Sequence, residues 1–381
     1  TPDPVGEALA GMTVEQKAAQ LLVAGIEGTE PGEDAVQAVQ GYQVGGVILF
    51  GRNVESAEQL AALTNGLKGL NGDYVPLFLC VDQEGGRVDR MPPEVSRTPS
   101  AWSVGQTLDT EGVGVSYGEL LAAECAAFGF NMDFAPSLDI WSNPDNTVIG
   151  DRAFGNDWEW TAFFGMSAVE GMEKQGTVIP VVKHFPGHGD TAVDSHTALP
   201  VVDKTLEDLW QSELVPFDMV LSGQFWGEPV MEPTPAVMVA HILLSQIDPD
   251  NPASLSPEVV TGLLREEMGY EGVVCTDDLT MGAISNTYGM GEAAVLAVEA
   301  GCDLLLVCHG ADNLAEAHAA LVEAVDSGCI PEERLDESVY RVLSLKTVYG
   351  LSNAPVEAPD IEALNDRIAA LERSIEADTS Q

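Results

Sequence analysis

Between Lys183 and His196 the chain reads K-H-F-P-G-H-G-D-T-A-V-D-S-H. That short stretch gathers three of the six histidines (His184, His188 and His196), a rare lysine, and the carboxylates Asp190 and Asp194. It follows Val178–Val182, an apolar run of the kind that fills a buried parallel strand. Polar groups at the end of such a strand must be hydrogen-bonded or solvated, so folding alone gives no reason to put them there. General acid–base chemistry and the binding of a polar ligand do give a reason.

Other apolar runs end the same way. Their carboxyl ends carry Asp82, Asp139, His241, the pair Asp277-Asp278 and Cys308-His309, with Arg152 beyond the fourth. Asp82 opens D-Q-E-G-G-R-V-D-R, which sets three carboxylates and two arginines around a glycine pair. Two reaction classes use such an inventory. In glycoside hydrolysis one group attacks the anomeric carbon while another protonates the leaving oxygen. Asp277 suits the first role, and the Asp194-Ser195-His196 segment offers the second, because a carboxylate fixes an imidazole's tautomer and raises its basicity. Metal-assisted hydrolysis would use His184, His188, Asp190 and His196 as ligands. Half of the histidines sit in one segment rather than at several strand ends, which argues against it. His188 and Asp190 then read as braces for the loop.

Such side chains converge only if the strands carrying them do. Eight short apolar runs are expected as strands: Ala19–Ala24, Gly46–Phe50, Leu77–Asp82, Met132–Leu138, Ile179–Lys183, Ala236–His241, Val273–Asp277 and Asp303–Val307. They lack strict alternation, as a parallel sheet covered on both faces requires. Helical patterns lie between them, among them Ala57–Leu70, Trp158–Lys174, Leu206–Leu221 and Pro257–Met268. Eight alternations predict an α/β fold, a (β/α)8 TIM-type barrel with extra C-terminal helices, rather than an open doubly wound sheet. Residues 1–350 are expected to form the catalytic barrel, and 351–381 a helical appendage that is not an independent domain. The connections Gly85–Val113 and Asp139–Asn156 are long enough to be functional. A third, Ser222–Pro235, holds Trp226 and Pro229 and reads as part of a rim.

Composition narrows the partners. Across 381 residues, 61 acidic side chains against 16 basic ones give a formal charge of −45. Such a surface repels nucleic acid and anionic membranes, and neither is expected as a partner. No apolar run is long enough to span a bilayer. Cations at Arg87, Arg90, Arg152 and Lys183 follow apolar runs, which points to a site for a polar ligand. Six cysteines without a CxxC pair argue against a disulfide framework, and Cys80, Cys275, Cys302 and Cys308, in or beside the expected strands, read as free thiols packed as small hydrophobes.

Four stretches taken together, K-H-F-P-G-H-G-D-T-A-V-D-S-H, V-D-Q-E-G-G-R-V-D-R, N-P-D-N-T-V-I-G-D-R-A-F-G and C-T-D-D-L-T-M-G-A-I, resemble the β-N-acetylglucosaminidases of glycoside hydrolase family 3. They occur in the family's order, and the resemblance runs from about Leu9 to Tyr349. The D-S-H triplet marks the N-acetylglucosaminidase branch. The resemblance implies a retaining, two-step hydrolase without metal or other cofactor. Its substrate would be a carbohydrate ending in a non-reducing β-linked N-acetylglucosamine. It makes Asp277 the nucleophile, His196 the general acid/base and Asp194 its partner. Asp82, Arg90, Arg152, Lys183 and His184 become the residues that hold the sugar. An imidazole acid departs from the two-carboxylate rule for glycosidases and would spare an incoming anion from repulsion. A β-N-acetylglucosaminide phosphorylase is therefore one alternative, and a metal-dependent barrel hydrolase the other.

Overall fold

The computed structural model describes residues 3–110, 112–191, 195 and 198–379. Eight strands close into a barrel: β1 (Leu22–Gly25), β2 (Gly46–Ile48), β3 (Phe78–Val81), β4 (Met132–Asp133), β5 (Ile179–Phe185), β6 (Ala236–Val239), β7 (Val273–Asp278) and β8 (Leu304–Val307). Each strand pairs in parallel with its neighbours in the sequence, and β8 returns to β1. This is the (β/α)8 barrel that the alternation of runs predicts.

Period-two alternation sorts the strand residues into two cores. Val23, Ile48, Phe78, Cys80, Met132, Ile179, Val181, Met238, Cys275 and Leu306 point inward and fill the barrel. Their neighbours, such as Leu22, Val47, Leu79, Val182, Val237 and Val274, face the surrounding helices. Each large apolar side chain so buried contributes about 1.5–3 kcal/mol. All six cysteines are free; Cys80, Cys125, Cys275, Cys302 and Cys308 are buried.

Several boundaries differ from expectation, each for a local reason. Ala19 and Gln20 belong to the helix Val14–Gln20, not to β1. Thr13 and Gln16 form a reciprocal capping box that starts this helix and carries it to Gln20. The run expected as Leu206–Leu221 is two helices, Leu206–Leu209 and Leu214–Ser222. Pro216 has no N–H to offer the Ser212 carbonyl, so it fits only in the first turn of a new helix. β4 stops at Asp133, three residues before Pro136, and only a single bridge from Ser137 to Lys183 continues the pairing.

The barrel's amino end is closed by the helix Glu332–Val348. Val342 and Leu345 join the inner core, and the buried Lys346 reaches up over the Phe78 ring, 4.7 Å from its centroid. Its Nζ donates to Gln20 Oε1 at 2.9 Å and to the Gly45 carbonyl at 2.8 Å. Burial pushes this amine down to about 7. The last helix, Ile361–Thr379, lays Leu364, Ile368 and Leu371 onto the outer core, and Arg367 donates to the Glu119 carbonyl at 3.0 Å. Among the described residues no helix is long and apolar enough to cross a membrane.

Candidate active site

β5 sends Ile179 and Val181 into the barrel, so Lys183 follows them inward at the carboxyl end. The register against β6 shifts between Val182 and Phe185, and there His184 joins Lys183 on the wall of the mouth. Lys183 Nζ lies 2.6 Å from Asp82 Oδ1 and 2.5 Å from Glu84 Oε1. Arg152, on the turn Gly150–Arg152, sets its fork on the same glutamate, with Nε 2.8 Å from Oε2 and Nη2 2.9 Å from Oε1. Burial would raise the Glu84 pKa, but Arg152 and Lys183 outweigh it and hold the carboxyl well below the usual range. Burial would likewise strip the proton from Lys183, and Asp82 and Glu84 reverse that, so it stays a cation. Two charged hydrogen-bond donors and two carboxylates are thus fixed at one rim.

The second cluster stands on Asp139, beyond β4. Its Oδ2 takes His184 Nδ1 at 2.6 Å and the Ser137 hydroxyl at 2.8 Å, while Oδ1 takes the backbone N–H of His188 at 2.6 Å. Against its burial, the nearby His184 and His188 keep Asp139 ionised, far below the ordinary carboxylate range. A carboxylate on Nδ1 turns the other imidazole nitrogen, Nε2, toward Arg152 Nη2 at 3.2 Å. His188 is a brace: its ring contacts the Thr191 and Ser195 hydroxyls at 2.9 and 3.2 Å, and Asn146 Nδ2 donates to its carbonyl at 2.8 Å. Gly189 lets this loop lie against the Ile140 backbone, where any Cβ would come within 1.7 Å of the carbonyl oxygen. Asp190 ties the loop to Lys204 at 3.0 Å. His184 and His188 are therefore engaged in a loop-positioning network. Among the described residues no three His, Cys, Asp or Glu side chains converge as a metal site.

Asp277 and Asp278 end β7. Asp278 is consumed by the fold: Oδ1 takes the N–H groups of Thr280 at 2.9 Å and Cys308 at 3.1 Å, and Oδ2 takes the Thr280 hydroxyl at 2.6 Å. Asp277 accepts the N–H of Asp278 at 2.8 Å and faces the cavity. Burial would raise its pKa, but His241, His184, that N–H and Lys183 together lower it, so the group is a carboxylate.

These residues wall a cavity of about 230 Å³, large enough for one sugar ring. Asp82, Arg90, Arg152, Lys183, His184 and Asp277 all line it, so six of the eight residues singled out from the sequence come together. Arg90 contributes a buried Nε that has no hydrogen-bond partner among the described residues. Asp194 and His196 lie outside the described residues. Ser195, between them, lines the cavity, and its carbonyl accepts the N–H of Ala283 at 3.1 Å.

The sequence reading passed over Glu84 as a site residue, although it stands two positions after Asp82. Nor did it find the layer behind. Gln83 donates Nε2 to Glu124 Oε2 at 2.8 Å and accepts the backbone N–H of Arg90 at 2.8 Å. Glu124 is fully buried, and burial pushes it up to about 8 against the pull of the Thr98 hydroxyl. The helix Val113–Ala127 is buried on most of its sides, so apolar periodicity does not mark Glu124 as the inward-facing glutamate.

Comparison with known proteins gives a consistent result. The glycosyl hydrolase family 3 N terminal domain matches residues 13–345. Beta-hexosaminidase A of Pseudoalteromonas piscicida is 33% identical over 341 residues, which span 84% of this chain but only 56% of that protein. The Beta-hexosaminidase of Alkalilimnicola ehrlichii is 38% identical over 293 residues, 76% of this chain and 80% of that one. A glycoside hydrolase family 3 beta-N-acetylglucosaminidase structure from Paenibacillus sp. superposes with a TM-score of 0.88 and 42% identity, covering 95% of this chain and 68% of that one.

Proposed function

The chain belongs to glycosyl hydrolase family 3, and from that membership we propose that it is a retaining β-N-acetylhexosaminidase. It removes terminal non-reducing β-linked N-acetylglucosamine in two steps. Asp277 attacks the anomeric carbon while the bond to the leaving oxygen breaks and His196, held by Asp194, gives that oxygen its proton. The glycosyl-enzyme ester is then cleaved by water, from which His196 takes a proton. Asp82, Arg90, Arg152, Lys183 and His184 hold the ring: Lys183 and Arg152 donate to sugar oxygens, and Asp82 accepts from hydroxyls. The family membership and the sugar-sized cavity support a carbohydrate ligand, and the acidic surface supports the exclusion of nucleic acid.

The observation that carries this reading is the division of labour at the end of β7, where one carboxylate is saturated by the fold and its neighbour is kept ionised at the cavity wall. An aryl N-acetyl-β-glucosaminide tests it. Release of the β-anomer first, at a rate independent of added phosphate, is the expected result. Initial release of the α-anomer would overturn retention, and a sugar phosphate product would replace hydrolysis with phosphorolysis.

A further inference from the structure

Outside the cavity, the segment Ser222–Pro235 forms a short hairpin, in which Gln224–Phe225 pairs antiparallel with Glu228–Pro229. The two-residue turn between them is Trp226-Gly227, with φ of +52° and +83°. That conformation favours asparagine or glycine at both positions, and a bulky indole pays conformational strain to adopt it. Strain of this kind persists where function requires it. Trp226 is also 69% exposed, so burial does not offset the strain.

The indole is nevertheless held. It packs edge-on against Trp158, with ring centroids 5.7 Å apart at 81°, and against Phe225 at 6.1 Å and 74°. Trp158 opens the helix Trp158–Gln175, which follows β4, so the hairpin tip stands at the same end of the barrel as the cavity. Beside it, Phe163 and Val230 are exposed along a groove of about 240 Å³. An exposed apolar surface with fixed aromatic rings marks a binding site.

We propose that Trp226 is the platform of a second carbohydrate site, which grips the sugar polymer on which the enzyme acts. A pyranose ring presents a face of C–H bonds that packs flat on an indole, and its hydroxyl and amide hydrogens suit carboxylate acceptors. Exposed Glu170 lines the groove, Glu228 stands opposite Phe225 on the hairpin, Glu159 follows Trp158 in the chain, and Lys174 is tied to Glu170 at 3.1 Å. That acidic border repels a second copy of this chain and any anionic surface, and tolerates a neutral glycan. The choice of an N-acetylated sugar rests on the activity proposed above, whereas the platform rests on Trp226.

Affinity electrophoresis through glycol chitin, or through a neutral glucan, tests the site in an Asp277→Asn background that cannot turn the polymer over. Glycol chitin is expected to retard the protein. Trp226→Ala should weaken that by about tenfold, as loss of an aromatic stacking platform does, and Trp226→Phe should keep most of it. With Asp277 intact, Trp226→Ala should leave kcat/KM on the aryl glycoside unchanged. Equal retardation of Trp226→Ala and its parent overturns the proposal. So does self-association that Trp226→Ala abolishes in a protein that neither gel retards. Retardation that depends on Trp226, in a protein inactive on the aryl glycoside, supports the platform while removing the proposed activity.

Discussion

Asp278 donates its backbone N–H to Asp277 Oδ1 at 2.8 Å, so the residue whose own carboxylate is consumed by the fold also aims the carboxylate beside it. Three hydrogen bonds from Thr280 and Cys308 saturate the Asp278 carboxylate, which leaves Asp277 as the carboxylate available at the end of β7.

Asp277→Ala is therefore expected to lower kcat by three orders of magnitude or more, a loss on the order of that seen for removed nucleophiles. Asp278→Asn should instead act mainly on stability. A fluorinated N-acetylglucosaminide that accumulates the glycosyl-enzyme should leave its label on Asp277, located by peptide mass spectrometry. A label on Asp278 would reverse the two roles.

His196→Ala should damage substrates with poor leaving groups most, because those need the proton. Activated aryl glycosides should lose least in their first step. A leaving-group series gives the slope, and equal losses along the series would remove His196 from the role. A chelator is expected to leave the wild-type rate unchanged; loss of activity that zinc restores would bring back metal-assisted hydrolysis.

Glu84→Gln leaves Lys183 and Arg152 facing a neutral amide. Breaking a buried ionic cluster in this way costs about 3–5 kcal/mol, read by urea denaturation, together with a raised KM. Glu84 and Asp139 have depressed pKa values, so their stabilisation is fully present above the ordinary carboxylate range and is lost as pH falls below it. A Glu84→Gln protein as stable and active as wild type would show that the cluster is unimportant.

Glu124 has the opposite sign. Its pKa rises from 4.5 to about 8 on folding, so between those values the native state holds a proton that the unfolded chain has lost. Stability must fall as pH rises through that window, by up to about 1.4 kcal/mol per unit. Glu124→Gln removes the titrating carboxyl and keeps a side chain of the same shape beside Gln83 and Thr98, and its thermal midpoint should gain on wild type steadily from pH 5 to 8. Parallel curves would mean that Glu124 is ionised in the native protein.

The strands and the rim residues were legible because a parallel barrel writes them plainly: an apolar run, then a charge. Asp82, Lys183 and Asp277 each obey that rule. Glu84 was hidden by its company, since D-Q-E-G-G-R-V-D-R holds three carboxylates and only geometry says which of them Lys183 and Arg152 grip. Asp139 read as a strand end, but its partners come from 45 and 49 residues away, beyond the reach of any spacing argument. Trp226 was visible as a rim residue, whereas its positive φ was not, because a tryptophan gives no hint of a conformation it rarely adopts.

The helix Glu332–Val348 has a consequence for the order of events. With Leu345 and Lys346 sealing the amino end of the barrel, the cavity on the opposite face is a blind well. A polymer cannot thread through it, and a well with room for one ring takes a chain end, as the proposed activity requires. The terminal sugar must enter ahead of the rest of its chain, and the shortened chain must clear the opening before the freed monosaccharide can follow. That monosaccharide then competes with the next chain end for the empty well: first in, last out.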